Sequence, residues 1–469
     1  MIPEPRGAEV LHSTPARDAA PETAPDAGSI PASRAARSAG NGAGHPDDAP
    51  APAPPRRRLL QVLTLAELGL ERLDRQGPLP GPAARPDPDR SATEQFVVET
   101  ARLILIADRI PHPAPEIRSA LHRIATLLAP LARTPERTAL LVRHPRTAVP
   151  FGITHLALEQ LGFPDSHFAA TLRRAFATGQ VDAVERPPHR RLEAAWLRAQ
   201  CGGEPVDHTA YRQGSILAAH PHPLYMSLAD VHALTHTLFH LTDFGRRALP
   251  DEADPIELRR ILDACLLWQL FEENADLVAE LLTAALLVPG PVSRTALLCR
   301  DAIDALWTEV GFLPGLGPGP SHGPDPDRQP TLFGTPTGSE RETYAFRHDF
   351  PTMYAAGLMH AVALARAPHD VWARPGAPAD QTGVGVYSDR WPLWIRLVTR
   401  DGPGLPVASA AEAAIIRAGR NGAYAEMENA LLSAPAHGVS PLTVAHARDL
   451  LDRHLTSDRP DRPDIDARR

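Results

Sequence analysis

Proline divides this chain into many short segments, which restricts it to short elements of secondary structure. The 469 residues include 51 Pro and 32 Gly. The segments between them, such as TLAELGLERL and PEIRSALHRIATLLAPLA, carry their apolar residues at helical spacing. Aromatic residues make up only 5% of the chain, whereas strands favour aromatic and β-branched residues. The sequence therefore predicts an all-α fold built from short helices.

The composition predicts five regions along the chain. Residues 1–57 form an Ala/Pro-rich tail with almost no large apolar residues, and residues 456–469 are highly charged. We expect both ends to be disordered, because such segments bury too little apolar surface to offset chain entropy. Between them we predict a helical domain at 58–312, a Gly/Pro-rich loop at 313–338, and a helical continuation of the same domain at 339–455.

Helical periodicity recurs through most of the chain between these tails. Four helices are predicted before residue 150, in TLAELGLERL, SATEQFVVETARLILIADRI, PEIRSALHRIATLLAPLA and TPERTALLVRH. Further helices are predicted at 153–162, 165–177, 189–200, 208–218, 227–247, 255–286, 292–310, 339–365, 408–433 and 440–454. A short hairpin at 384–400 is the expected exception. Paired helices of this kind pack as helical hairpins in an α/α toroid, an α-solenoid of helical repeats, or an irregular bundle. We favour a toroid because its centre offers a polar cavity.

Charge and residue types exclude several functions. The net charge of −8 leaves no basic field for nucleic-acid binding. All 48 basic residues are Arg, which excludes Schiff-base chemistry, a pyridoxal lysine and a P-loop lysine. Apolar runs are shorter than the about 18 residues that indicate a membrane span. The three cysteines lie far apart, at Cys201, Cys265 and Cys299, which is typical of a reducing compartment. We therefore expect a cytoplasmic protein.

One segment concentrates histidine. HPHPLYMSLADVHALTHTLFHLTDFG, residues 220–245, contains five His and no Arg, Lys or Glu. Ser227 and Asp230 match a capping box, so we expect a helix from there to the Gly245 stop. At about 100° per residue, one face carries His232, His236, His240 and Asp243, and the opposite face carries Leu234, Leu238 and Leu241. Because both faces lack long charged side chains, we expect this helix to be enclosed, with its histidines facing an interior pocket.

Three interpretations of the histidine face stay open. The first is a buried His/Asp network that fixes packing. The second is a pocket in which the catalytic candidates His232, His236 and His240 act as acid or base and Asp243 orients them. The third is a divalent metal site, because HxxxH presents two imidazoles on one helix face. The metal-ligand candidates are the same three histidines, although the chain has no HExxH motif.

Four further residues are candidates for substrate binding. They are Tyr225, His220, His222 and His348. The first three belong to the segment before the histidine helix. His348 lies in TYAFRHDFPTMYAAGLMHA and is the candidate for a second side of the cavity. His360, on the apolar part of the same stretch, is interpreted as a core histidine.

Carboxylates recur every four residues in WQLFEENADLVAELL, at Glu272, Asp276 and Glu280. We interpret this pattern as a solvated helix face. The alternative is a Mg²⁺ site facing a diphosphate, because Mg²⁺ is bound by carboxylates together with phosphate oxygens.

The run DVHALTHTLFHLTDFG resembles the ALTHxxFYxTDFG-type segment of all-helical actinobacterial proteins of unknown function, some of which occur near natural-product gene clusters. The match is close over 230–245 and diffuse over about 90–370. His240 stands where the resemblance leads us to expect Tyr. The resemblance implies an all-helical fold, and it brings no activity and no assigned site residue.

These observations predict a cytoplasmic helical protein that acts as an enzyme or a small-molecule binder through a His/Asp-lined pocket. The resemblance implies a role in natural-product metabolism. The expected ligand is a small molecule or a peptide, and we expect neither nucleic acid nor membrane as a partner. The cofactor is open, with a divalent metal as the candidate. The alternatives are a non-catalytic helical interaction or scaffold protein with a structural histidine network, and a metal-dependent hydrolase. Oligomeric state is left open.

Overall fold

The computed structural model of the protein describes residues 55–76, 88–250, 254–315, 350–366, 372 and 407–457. Within these ranges the regular elements are sixteen α-helices and three 3₁₀ turns, without a strand. The predicted all-α fold is therefore confirmed. Most of the predicted N-terminal tail, the hairpin at 384–400 and most of the loop at 313–338 lie outside the described residues.

Over residues 88–310 the α-helices follow one another with short connections. The sixteen α-helices are α1 (Pro55–Gln76), α2 (Pro88–Ala107), α3 (Pro115–Ala132), α4 (Pro135–Arg143), α5 (Ala148–Gln160), α6 (Ser166–Ala177), α7 (Pro188–Gln200), α8 (His208–Gln213), α9 (Leu228–Leu241), α10 (Pro255–Phe271), α11 (Ala275–Leu287), α12 (Arg294–Val310), α13 (Phe350–Arg366), α14 (Val407–Arg420), α15 (Tyr424–Ser433) and α16 (Pro441–Ser457). The 3₁₀ turns are Pro145–Thr147, Ile216–Ala218 and Pro223–Tyr225.

Many of the prolines open helices. The first residue of a helix is proline in α1, α2, α3, α4, α7, α10 and α16. Proline suits this position because its ring presets the helical φ angle and its missing N–H would have no partner there. The high proline content is thus compatible with a helical fold, as the sequence predicted.

Two stretches that were predicted as single helices are each two helices. The stretch 255–286 breaks after Phe271, where Glu273 adopts a φ of 55°. Asn274 then caps α11 by accepting the Leu277 N–H at 3.2 Å. The stretch 408–433 breaks at Gly422, whose φ of 66° ends α14. Both predictions were wrong because apolar periodicity continues through a turn that a few residues decide.

Helix α13 lies at the centre of the larger apolar core. It packs against α1, α2 and α11. Gly357 permits the close approach to α1, since a Cβ there would lie 2.8 Å from Val62 Cγ1. A second, smaller core joins α14, α15 and α16 around Leu224. A toroidal, solenoid or repeat arrangement stays a prediction. Among the described helices none combines the length and the apolar character that crossing a membrane requires.

Helix α9, which carries the histidines, packs against α7 on one side and α11 on the other. Nine of its residues are buried, from Val231 to Leu241. Most of α9 is therefore enclosed, although the side chain of His232 is 41% exposed, and the interior pocket stays a prediction. The side chains of α7 and α11 therefore decide what the histidines contact.

Candidate functional site

The start of α9 is fixed by the predicted capping box. Ser227 Oγ accepts the Asp230 N–H at 3.2 Å, and Asp230 Oδ2 accepts the Ser227 N–H at 2.7 Å. Both bonds satisfy backbone donors that a helix start leaves free. The capping role of Asp230 is confirmed. The capping box fixes the residue at which α9 begins.

The end of α9 differs from the prediction. The helix stops at Leu241, and the next turn holds Asp243, Phe244 and Gly245 at φ values of 47°, 53° and 93°. Left-handed backbone at two consecutive non-glycine residues is strained and needs outside support. Arg109 supplies it by donating to the Asp243 carbonyl at 3.1 Å. The prediction that the helix runs to Gly245 was wrong, and Asp243 leaves the histidine face.

The Asp243 carboxylate has partners other than a histidine. Its Oδ1 accepts hydrogen bonds from Arg109 Nη1 at 3.0 Å and from Trp196 Nε1 at 2.9 Å. The Trp196 ring then packs edge-on against His240, with centroids 5.3 Å apart. Asp243 thus positions a tryptophan beside the histidine face. The geometry does not match the predicted orienting role toward the imidazoles.

The carboxylate that contacts the histidines is Glu280, from α11. Its Oε2 lies 3.2 Å from His232 Nδ1, and its Oε1 lies 3.4 Å from His236 Nε2. Thr235 Oγ1 also donates to Oε2 at 2.8 Å. One ligand atom from each of His232, His236 and Glu280 lies within 4.8 Å of the other two. We call these three residues the metal cluster, because two imidazoles and a carboxylate can bind one divalent ion.

The metal cluster is more open on one side than on the other. The side chain of His232 is 41% exposed, whereas those of His236 and Glu280 are 11% and 14% exposed. A small solute can therefore reach the cluster along His232. The deeper atoms of His236 and Glu280 are shielded from bulk water, which strengthens their electrostatic interactions.

The pKa values of the cluster reflect its opposite charges. Burial opposes ionisation of Glu280, but the nearby His236 and the hydrogen bonds from His232 and His236 outweigh it and lower the Glu280 pKa. The hydrogen bond to Glu280 raises the pKa of His232, against the effect of burial. The carboxylate is therefore ionised at neutral pH and is ready to accept a proton donor or a cation.

His240, the third predicted ligand, stands apart from the metal cluster. It is fully buried, and its Nδ1 donates to the His236 carbonyl at 2.8 Å. Burial lowers its pKa to about 3, so the ring is neutral and Nε2 carries a lone pair. That nitrogen has no hydrogen-bond partner among the described residues. His240 belongs to the interior face without contacting Glu280.

Two more titratable groups border the cluster. His189, in the first turn of α7, has its ring centroid 5.9 Å from that of His236. Burial, followed by His236 and Arg190, lowers the pKa of His189 to about 4. Asp276 lies one turn before Glu280 on α11, and burial together with the charge of Glu280 raises its pKa. Neither residue had been assigned to this site from the sequence.

Buried ion pairs neutralise the charges behind the cluster. Arg102, on α2, pairs with Glu193 at 2.7 Å and with Glu99 at 2.8 Å. Arg190 pairs with the other oxygen of Glu193 at 2.9 Å. Burial disfavours ionised Glu193, but Arg102 outweighs this effect and lowers its pKa. Carboxylates at this depth need such paired guanidinium groups.

The predicted substrate-binding residues lie elsewhere. His222 and Tyr225 contact the C-terminal helix α16, through Thr443 Oγ1 at 3.0 Å and the His446 carbonyl at 3.1 Å respectively. His220 is exposed near Asp254 and Glu257, at the start of α10. His348 lies outside the described residues. The structure thus brings two of the predicted histidines together with Glu280 and gives His222 and Tyr225 other partners.

The sequence around Glu280 indicates a buried helix, although the four-residue spacing of the carboxylates was interpreted as a solvated face. The α11 sequence ADLVAELLTAALL is apolar on every side apart from its two acids. A helix of this kind is buried, so a carboxylate near its middle points to an interior site. Glu272, by contrast, is exposed and pairs with Arg417 at 3.0 Å. The interpretation of one solvated face was therefore right for Glu272 and wrong for Glu280.

Over the part of the chain that the structure describes, fold and site define an all-helical protein with a cluster of histidines and carboxylates between α9 and α11. The chain belongs to the family described as domain of unknown function (DUF6895), whose model matches residues 61–361. The match runs from α1 into α13 and includes every residue of the metal cluster. No curated protein and no solved structure matches the chain.

Proposed function

We propose that His232, His236 and Glu280 bind one divalent metal ion and that the protein is a metal-dependent hydrolase. The observation that carries this proposal is the convergence of the three ligand atoms within 4.8 Å. They come from two helices that the core holds in place. Two imidazoles and one carboxylate form a ligand set of catalytic zinc sites, which leaves a position open for water or substrate.

The ligand chemistry supports a first-row divalent ion. His236 Nε2 and Glu280 Oε1 lie 3.4 Å apart, which is long for a charge-assisted hydrogen bond. An imidazole lone pair and a carboxylate attract each other only when a proton or a cation lies between them. Imidazole with carboxylate favours zinc and similar ions over calcium or magnesium, which prefer oxygen alone.

The wider expectation of an enzyme acting on a small molecule or a peptide forms part of this proposal. The access along half-exposed His232 supports a ligand of modest size. A cytoplasmic location is also proposed, supported by the free cysteines Cys201, Cys265 and Cys299. Actinobacterial origin and a place in natural-product metabolism rest on the sequence resemblance alone.

A second candidate function is the non-catalytic helical protein with a structural histidine network. It is supported by Glu280, which already accepts hydrogen bonds from Thr235 and His232 at 2.8 and 3.2 Å. In that case Glu280 ties α9 to α11 and no ion is needed. The two candidates differ in what the removal of His236 does.

The deciding experiment is metal analysis by mass spectrometry of untagged protein, comparing wild type, His236→Asn and His122→Asn. His122 is an exposed histidine of α3 and serves as the matched control. We expect about one metal ion per chain in wild type and control, and none in a folded His236→Asn protein. Metal-free wild type, together with a His236→Asn protein that loses stability, would support the structural network instead.

A further inference from the structure

The surroundings of the metal cluster on the α7 side lack hydrogen-bond partners. Among the described residues, His189 Nδ1 and His236 Nδ1 are buried and unpaired. His240 Nε2, one turn along α9, is also buried and unpaired. Buried polar atoms without partners cost free energy, so several in one place indicate a bound polar group. Such a group would lie between α7 and α9, next to the cluster.

His189 is placed to contact such a group rather than the metal. Its ring centroid is 5.9 Å from that of His236, which puts it beside the cluster. It is nevertheless outside the set of ligand atoms that lie within 4.8 Å of one another. A neutral imidazole has one N–H donor and can bind an oxygen atom that the metal also binds.

The charges around the cluster limit the chemical class of the ligand that carries this oxygen atom. The arginines whose charge acts on the site are Arg102 and Arg190. Arg102 is held by Glu99 and Glu193, and Arg190 by Glu193. The positive charge of both arginines is therefore already compensated, and a phosphate would compete with Glu99 and Glu193 for it.

Two neighbouring acidic side chains already border the metal cluster on the α11 side. Glu280 and Asp276 lie one turn apart on α11 and interact electrostatically. Glu280 is ionised and offsets one of the two positive charges of a divalent ion, and its charge raises the pKa of Asp276, so further negative charge beside them is disfavoured. A dianionic ligand would add repulsion without a paired cation, whereas a carbonyl oxygen adds almost none.

We propose that the substrate presents a carbonyl group, as an amide or an ester does, and that His189 donates a hydrogen bond to the oxygen at the open coordination position. This inference rests on the proposed metal centre. It assigns His189 to substrate binding and favours carbonyl compounds over phosphate esters as the substrate class. The metal polarises the carbonyl, and the His189 N–H binds the same oxygen from the α7 side.

The test uses the full-length protein carrying Co²⁺, whose visible absorption reports ligands entering the metal sphere. Acetohydroxamate is the carbonyl probe and inorganic phosphate is the comparison. We expect acetohydroxamate to bind wild type at least about tenfold more tightly than phosphate. His189→Leu should weaken acetohydroxamate binding about tenfold, and His189→Gln, which keeps a donor, only about threefold. Co²⁺ affinity should be unchanged in both variants.

His167→Leu is the matched control, because His167 is the second residue of α6 just as His189 is the second of α7, and it is exposed. It should leave both affinities unchanged. Phosphate binding as tight as acetohydroxamate overturns the substrate class. Unchanged acetohydroxamate affinity in His189→Leu overturns the role of His189, and a large loss of Co²⁺ affinity makes His189 a ligand instead. A wild type that takes up no Co²⁺ overturns the metal centre itself, which is a separate result.

Discussion

Two groups of buried histidines differ in how their ring nitrogens are satisfied. His222 Nδ1 accepts the Leu224 N–H at 3.3 Å, and its Nε2 lies 3.0 Å from Thr443 Oγ1. His236 has an unpaired Nδ1 within the described structure and an Nε2 that lies 3.4 Å from Glu280. Both residues are more than nine-tenths buried. Burial alone therefore does not identify a functional histidine.

The satisfied histidine has the contacts of a packing residue. Thr443 Oγ1 donates a hydrogen bond to Glu412, and Glu412 pairs with Arg260 at 3.3 Å. This chain of bonds fastens α16 and α14 to the segment before α9. The partners Thr443 and Glu412 lie beyond the family match, whereas the whole metal cluster lies inside it. We infer that the His222 group joins helices and that the metal cluster serves the function of the family domain.

The largest expected effect comes from Glu280→Gln. The amide keeps the size of the side chain and removes the charge that a metal ion needs, so we expect metal affinity to fall at least a thousandfold. Isothermal titration with Zn²⁺ measures this. The matched variant in the other group is His222→Asn, for which we expect unchanged metal affinity and lower stability. Equal metal affinity in wild type and Glu280→Gln would remove the distinction between the two groups.

Arg102→Met tests the buried charges behind the metal cluster. The change removes the cation that Glu99 and Glu193 share and leaves Glu193 only the half-exposed Arg190. Breaking a buried pair in this way costs about 3–5 kcal/mol. Chemical denaturation measures the loss. Arg123→Met is the control, since Arg123 is half-exposed and pairs with Glu67 at the surface; such pairs contribute about 1 kcal/mol or less. Similar losses in both variants would contradict the proposed compensation.

Acid pH should destabilise the His222 group. Burial, with His446 and Arg260 nearby, lowers the pKa of His222 to about 4. The unfolded chain binds this proton near pH 6.5, so stability is lost as pH falls from about 6.5 to 4. The expected loss is about 2 kcal/mol at pH 5 relative to pH 7.5. His222→Gln should remove that part of the pH dependence in thermal melts, and an unchanged pH profile would show that His222 is protonated in the folded state.

The fold could be predicted from the sequence more completely than the site. The start of α9 followed from Ser227 and Asp230 because a capping box is a local interaction. Its end did not, because the left-handed turn at Asp243 depends on Arg109, which is 134 residues away. Glu280 was missed for the same reason, since its contacts with His232 form between separate helices. Spacing along one helix cannot show which neighbour a side chain meets.

The smallest expected effect, at Ser227, tests the junction between the two groups. Ser227 caps α9 directly after the segment that α14 and α16 hold, where Arg420 donates to the Met226 carbonyl. Ser227→Ala should cost about 1 kcal/mol. Thr134→Ala is the control, because Thr134 caps α4 with a bond of the same 3.2 Å length. We expect equal losses of stability in denaturation.

Metal titration then separates the two caps. Fraying of the first α9 turn reaches His232, so Ser227→Ala should weaken Zn²⁺ binding about threefold by lowering the population with both imidazoles in place. Helix α4 carries no residue of the metal cluster, so Thr134→Ala should leave Zn²⁺ binding unchanged. If both caps lower stability and neither alters metal affinity, the position of His232 does not depend on the start of α9. The packing of α9 between α7 and α11 would then hold the cluster by itself.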